Sequence, residues 1–330
     1  MKNIGMTGYT GRVSEVTIGA GKGEGGSRSK VITIGGETSL SFFGENGVPN
    51  RPVVSLDVFD IPIPLPKTIS EHYEDVISDP SEWAKKGVEK LGADMIGIHL
   101  VSTDPKGANR GSREAVKTVE EVLQAVSVPI VIGGSGNPQT DPEVLSMAAE
   151  VSEGERCLLN SVTPDVYKSI ALAAKTFGHN VVAWTSVNVN EAKRLNKLLI
   201  AEGLTKDRIV MDVTTGALGY GLEYSFSIME RTRIAALKGD EYLQMPIMSA
   251  AANAWGAREA WSVNDRWGPR DLRGPLWEAI TGITALLAGA DLLFMIHPLA
   301  VQLVKDALDE LSSRRETDYS VQRWIEGKNQ

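Results

Sequence analysis

The sequence has one cysteine, Cys157, in 330 residues. One thiol cannot form an internal disulfide, a four-thiolate zinc site or the thiolate cage of an iron-sulfur cluster. Cys157 opens the apolar run C-L-L-N and reads as a buried structural thiol. Long hydrophobic runs are also missing. The longest apolar stretches, such as Leu292 to Ile296, fall far short of the ~20 residues that span a bilayer. No signal-peptide core lies near the N-terminus, so the protein is expected to be cytoplasmic. Basic residues number 34 against 42 acidic, a net charge of -8, with no Lys/Arg-rich stripe. Nucleic acid and anionic membrane are therefore not expected partners. No G-x-G-x-x-G opens a helix after an early strand, and H-E-x-x-H and G-x-S-x-G are absent, which weakens dinucleotide, zinc-peptidase and serine-hydrolase readings.

What is present is ordinary for a folded soluble chain: 42% hydrophobic residues, 23% charged residues and a mean hydropathy of -0.11. From residue 52 onward, short apolar β-rich runs alternate with helical patterns. Eight runs are expected as strands, at 52–58, 94–100, 128–134, 157–161, 180–186, 208–213, 245–251 and 291–297. Helices are expected at 81–91, 112–126, 141–149, 164–177, 190–201, 223–237, 275–288 and 298–311, several opening on Thr-Pro, Asp-Pro or Gly-Pro signals. Apolar strands each followed by a helix call for a covered parallel sheet, and eight units in this length fit a (β/α)8 TIM barrel. Residues 1–50 are expected as an N-terminal extension, read as a β-hairpin that either plugs the barrel's N-terminal end or reaches a partner. The barrel is expected over 51–312, and 313–330 is a charged tail that Trp324 and Ile325 would dock.

A barrel of this kind places function at the C-terminal ends of its strands. Those ends carry Asp57, His99, Asn160, Thr185, Asp212, Thr214, Ser249, Ala250, Asn253 and His297, a list dominated by hydroxyls, amides and small residues with few proton-transfer groups. His99 and His297 read as structural imidazoles, since no ligand spacing completes either. Asp57 and Asp212 have no predictable separation. The loop Thr214 to Arg231 packs Gly216, Gly219 and Gly221 ahead of an aromatic-bearing helix. Asn253 to Gly274 has no obvious element and mixes Trp255, Trp261 and Trp267 with Arg258, Arg266, Arg270 and Arg273, a composition typical of interfaces.

The strings N-R-P-V (50–53), D-P-K-G-A-N (104–109), G-A-L-G-Y-G-L-E-Y-S-F-S-I-M-E-R (216–231), R-G-P-L-W-E-A (273–279) and G-A-D-L-L-F-M-I-H-P (289–298) resemble one family. It is the small subunit of the corrinoid iron-sulfur protein, the delta subunit of the acetyl-CoA decarbonylase/synthase complex. The resemblance runs through nearly the whole chain. It implies a TIM barrel in a heterodimer with a large subunit that carries the [4Fe-4S] cluster, the two sharing a corrinoid at this barrel's C-terminal face. The methyl group would pass from methyltetrahydrofolate, through a separate methyltransferase, to CO dehydrogenase/acetyl-CoA synthase in the reductive acetyl-CoA pathway. On that reading the chain has no catalytic residues and no metal ligands of its own. Strand-end geometry nominates Thr185, Asp212, Thr214, Ser249, Ala250 and Asn253 as contacts to the cofactor's side-chain amides. The alternative is a pterin-binding barrel methyltransferase that holds the pterin through Asp57, Asn160 and Asp212.

Overall fold

The computed structural model describes residues 9–40, 42 and 48–312, so the expected docking of Trp324 and Ile325 lies outside the described residues. Ten strands run as β1 Glu15–Ile18, β2 Ile32–Gly35, β3 Val53–Phe59, β4 Met95–His99, β5 Ile130–Gly133, β6 Leu158–Val162, β7 Asn180–Trp184, β8 Ile209–Asp212, β9 Ile247–Ala250 and β10 Leu292–Met295. Ten α-helices accompany them: α1 Lys67–Ser70, α2 Pro80–Glu89, α3 Ser112–Ala125, α4 Asp141–Val151, α5 Tyr167–Phe177, α6 Val189–Ala201, α7 Leu222–Leu237, α8 Arg258–Trp261, α9 Arg270–Leu287 and α10 Pro298–Ser312. β3 to β10 pair in parallel and close through β10–β3 into an eight-stranded barrel. This is the expected (β/α)8 TIM barrel. Among the described residues no helix is long and apolar enough to cross a membrane.

The pleat sorts each barrel strand into two faces. Val54, Leu56, Ile96, Ile98, Leu159 and Val181 join the layer between sheet and helices. Their neighbours Val53, Met95, Leu158, Val182, Val210 and Leu292 point into the lumen. Into that same cluster β1 and β2, paired antiparallel, insert Val16, Ile18, Ile32 and Ile34. The hairpin therefore stoppers the N-terminal end, with each side chain contributing about 1.5–3 kcal/mol of burial. Two buried arginines tie it down. Arg28 reaches Glu155 at 2.7 Å and the carbonyl of Leu123 at 2.7 Å. Arg233 of α7 bridges Glu37 at 3.2 Å and Asp291 at 2.6 Å.

Two expected boundaries move. α5 begins at Tyr167 rather than at Pro164, because residues 164–166 make a separate turn that borders the barrel mouth. α9 begins at Arg270, five residues before the expected Pro275, which sits inside the helix and leaves one backbone bond unmade. The segment expected to lack structure, 253–274, consists of a 3-10 turn over Ala251–Gly256, α8, a second 3-10 turn at Asp265–Trp267 and the first residues of α9. Cys157 is buried as expected, and burial pushes its thiol up to about 12, which keeps it inert at neutral pH.

Candidate functional site at the barrel mouth

At the C-terminal end the inward positions are polar. Asp57 of β3, His99 of β4, Asn160 of β6 and Asp212 of β8 line one cavity of about 420 Å3. Its walls are apolar: Phe59, Leu65, Met248, Ala250, Phe294 and Trp255. A neighbouring depression of about 550 Å3 runs beneath the loop after β5 to Trp184, and it meets the first at His99 and Asn160. The expectation of few proton-transfer groups is corrected here. Period-two alternation turns three ionisable side chains toward one space, although their sequence positions are far apart.

Asp57 Oδ1 lies 2.9 Å from His99 Nε2, and the imidazole stacks on Phe59 at 5.2 Å between centroids. Burial disfavours the imidazolium, but the Asp57 carboxylate outweighs it, so the His99 pKa is raised. Asp212 has no such counter-charge. Burial lifts its pKa from 3.8 to about 7 against the pull of the Thr214 N–H, which donates to Oδ1 at 2.8 Å. The folded chain thus holds the Asp212 proton up to about pH 7, while the unfolded chain releases it near 3.8. Between those values the folded state binds more protons, so this group's stabilising contribution is lost as pH rises. Asp212→Asn is accordingly expected to raise stability by about 2–4 kcal/mol above pH 7 and to change little near pH 4, measured by urea unfolding at both.

Of the six expected contact residues, Asp212, Ala250 and Asn253 line the cavity. The other three brace it from behind. Ser249 follows inward-facing Met248, so the pleat turns it into the helix layer, where its hydroxyl meets Thr215 Oγ1 at 2.9 Å. Thr215 Oγ1 also accepts from Ala250 N, and its carbonyl accepts from Asn253 Nδ2 at 2.9 Å. Thr214 adopts φ of 73°, a left-handed conformation costly for a β-branched residue. Its hydroxyl donates to the Thr185 carbonyl at 2.7 Å, and the buried Thr185 Oγ1 has no partner. The strain is held by bonds to Asp212 and Thr185 at once.

Sequence reasoning missed Glu278. This buried carboxyl of α9 accepts from Trp255 Nε1 at 2.8 Å, from Ile296 N at 2.6 Å and from His297 N at 3.2 Å, fixing the indole that walls the cavity. Burial raises its pKa to about 7 despite those donors. Gly274 makes room for the ring, since a Cβ there would lie 2.3 Å from Trp255. His297 stacks behind Trp255 at 5.6 Å. Burial, with His72 adding to it, lowers its pKa to about 4, so the ring is neutral and structural. Among the described residues no group of three or more His, Cys, Asp or Glu could hold a metal ion.

Comparison with known proteins follows the same outline. The barrel of dihydropteroate synthase from Thermus thermophilus, solved with 4-aminobenzoate, superposes with a TM-score of 0.55 at 18% identity, covering 80% of this chain and 95% of that one. At that identity the likeness is one of fold. The acetyl-CoA decarbonylase/synthase complex subunit delta of Methanosarcina mazei is 50% identical over 323 residues, covering 95% of this chain and 74% of the relative. The corresponding subunit of Methanothermobacter thermautotrophicus is 53% identical over 300 residues, covering 90% and 75%. The family model described as CO dehydrogenase/acetyl-CoA synthase delta subunit matches residues 15–297, from the plug to the end of the last barrel strand. The chain belongs to the CO dehydrogenase/acetyl-CoA synthase delta subunit family.

Proposed function

We propose that this chain is the small subunit of a corrinoid iron-sulfur heterodimer, and that its barrel mouth forms one wall for a corrinoid held chiefly by the large subunit, which also carries the [4Fe-4S] cluster. The observation that carries the reading is the mouth itself, where the amides of Asn160 and Asn253 and the groups of Asp57, His99 and Asp212 sit within apolar walls, and where no cluster of three or more His, Cys, Asp or Glu could hold a metal ion among the described residues. A cavity of about 420 Å3 is at the small end for small-molecule pockets, so a macrocycle with amide arms would cover the opening rather than sink into it. The donor set fits such a ligand. Asn160, Asn253 and a protonated Asp212 can hydrogen-bond amides, while Phe59, Ala250 and Phe294 exclude water. When bound, a corrinoid supplies a cobalt centre that carries the methyl group between a methyltransferase and CO dehydrogenase/acetyl-CoA synthase. This chain's part is to orient the ring, with His99 held against Asp57 and Asp212 Oδ1 held by the Thr214 N–H.

The large subunit is assigned to α9. Leu272, Leu276, Ile280 and Leu287 are exposed along one side of this 18-residue helix, about 27 Å long, with Tyr220 and Tyr224 exposed beside it at the start of α7. Glu278 of the same helix holds Trp255, which walls the mouth, so a partner seated on α9 would lie beside the cofactor face.

A second reading, a pterin methyltransferase with its own active site, draws support from the meeting of Asp57, Asn160 and Asp212 in one cavity. The two readings separate cleanly in solution. Co-expression with the large subunit is expected to yield a heterodimer with corrinoid absorption in the visible. The isolated chain is expected not to transfer methyl from methyltetrahydrofolate to free cobalamin. Turnover by the isolated chain would establish the pterin reading instead.

A further inference from the structure

Among the described residues, one buried cation lacks a counter-charge. Arg273, in the second turn of α9, is 4% exposed. Its Nη2 donates to the Ser262 carbonyl at 2.5 Å, and its guanidinium lies 5.3 Å from the Trp267 ring centroid. Nε and Nη1 are buried with no partner among the described residues. The fold treats its other buried arginines differently: Arg233 has Glu37 and Asp291, and Arg28 has Glu155 and backbone carbonyls. Leaving a guanidinium buried and unpaired is costly, and stacking on an indole returns only part of that cost.

The surroundings point to what completes it. Ser262, which anchors Arg273, also lines a cleft of about 300 Å3 together with Lys67, Thr68, Trp261 and Arg270. Lys67 makes no ion pair among the described residues, and Arg270 makes only a long one, 3.8 Å to exposed Asp271. Two cations thus line one cleft of a chain whose net charge is -8, and Ser262 joins the buried Arg273 to it. Pro66 borders both this cleft and the mouth cavity, so the two are neighbours.

We infer that Lys67, Arg270 and Arg273 form an oxyanion site. It takes the phosphate or carboxylate of a molecule whose body lies over the mouth, with Lys67 and Arg270 at the cleft and Arg273 donating from behind Ser262. The inference rests on the mouth being a binding face, but not on which ligand that face takes.

The full chain would be titrated with inorganic phosphate and, separately, with triglutamate, following the fluorescence of Trp261 and Trp267. A saturable change is expected, weakened about tenfold or more in Arg273→Met and in Lys67→Met. Bound anion should also raise the thermal midpoint of the wild type. Tighter binding of phosphate would assign the site to a phosphorylated small molecule, and tighter binding of triglutamate to an acidic side chain or peptide. If Arg273→Met does not fold, the exposed Lys67→Met and Arg270→Met variants carry the test. Absence of a saturable response to both probes, or wild-type affinity in the variants, overturns the site. Corrinoid retention by the heterodimer is measured independently, so the failure of one reading does not hide in the other.

Discussion

Replacing Leu276 and Ile280 together by aspartate should separate this chain from the large subunit proposed as its partner and leave the barrel folded. Both side chains are more than two-fifths exposed, so in the free chain a charge at either position meets water and costs little. In a complex that covers α9, each aspartate would be buried opposite apolar surface with no counter-ion. Central interface positions commonly cost more than about 2 kcal/mol when lost, about 30-fold in affinity each, and the pair should weaken binding by about a thousandfold. Size-exclusion chromatography of the co-expressed subunits reads this directly. Circular dichroism of the isolated variant checks the fold. Co-elution at wild-type affinity would show that the partner docks elsewhere.

The second large effect concerns the plug. Arg233→Met should cost about 3–5 kcal/mol, because it leaves Glu37 and Asp291 buried without their shared cation. Burial, with the nearby Asp291 charge adding to it, already raises the Glu37 pKa to about 8 while Arg233 pulls it down. With the arginine gone, the folded state holds the Glu37 proton still more tightly than the unfolded chain does. Stability of the variant should therefore fall more steeply than that of the wild type as pH rises above the ordinary carboxylate range. Urea unfolding across pH tests both statements. A loss under about 1 kcal/mol, with an unchanged pH slope, would mean that the hairpin is held by its apolar side chains alone.

These residues also show where the sequence was readable. Eight apolar runs followed by amphipathic helices are local signals, and each run became a strand because both of its faces are buried. The hairpin was legible for the same reason, through alternation around a Gly-rich loop. The rest depended on closure of the barrel. Glu37, Arg233 and Asp291 meet only because β10 returns beside β3 and the plug lies beneath them. Trp255 and Glu278 lie on either side of a helix start that a Gly-Pro signal placed five residues too late.

At the mouth, reading strand ends without their alternation mixed the inward residues with those one step beyond them. Asp212, Ala250 and Asn253 reach the cavity, whereas Ser249 and Thr185 serve the loops behind it. The same omission hid the convergence of Asp57, His99 and Asp212, and with it the ionisable character of the site.

The measurement that bears most directly on the corrinoid reading is an experimental structure of the heterodimer with its cofactor bound. The ring is expected across the barrel mouth, its amide arms against Asn253, Asp212 and Ala250 and its edge near Trp255. A corrin lying away from these residues, with the mouth open to solvent or filled by a pterin, would contradict it.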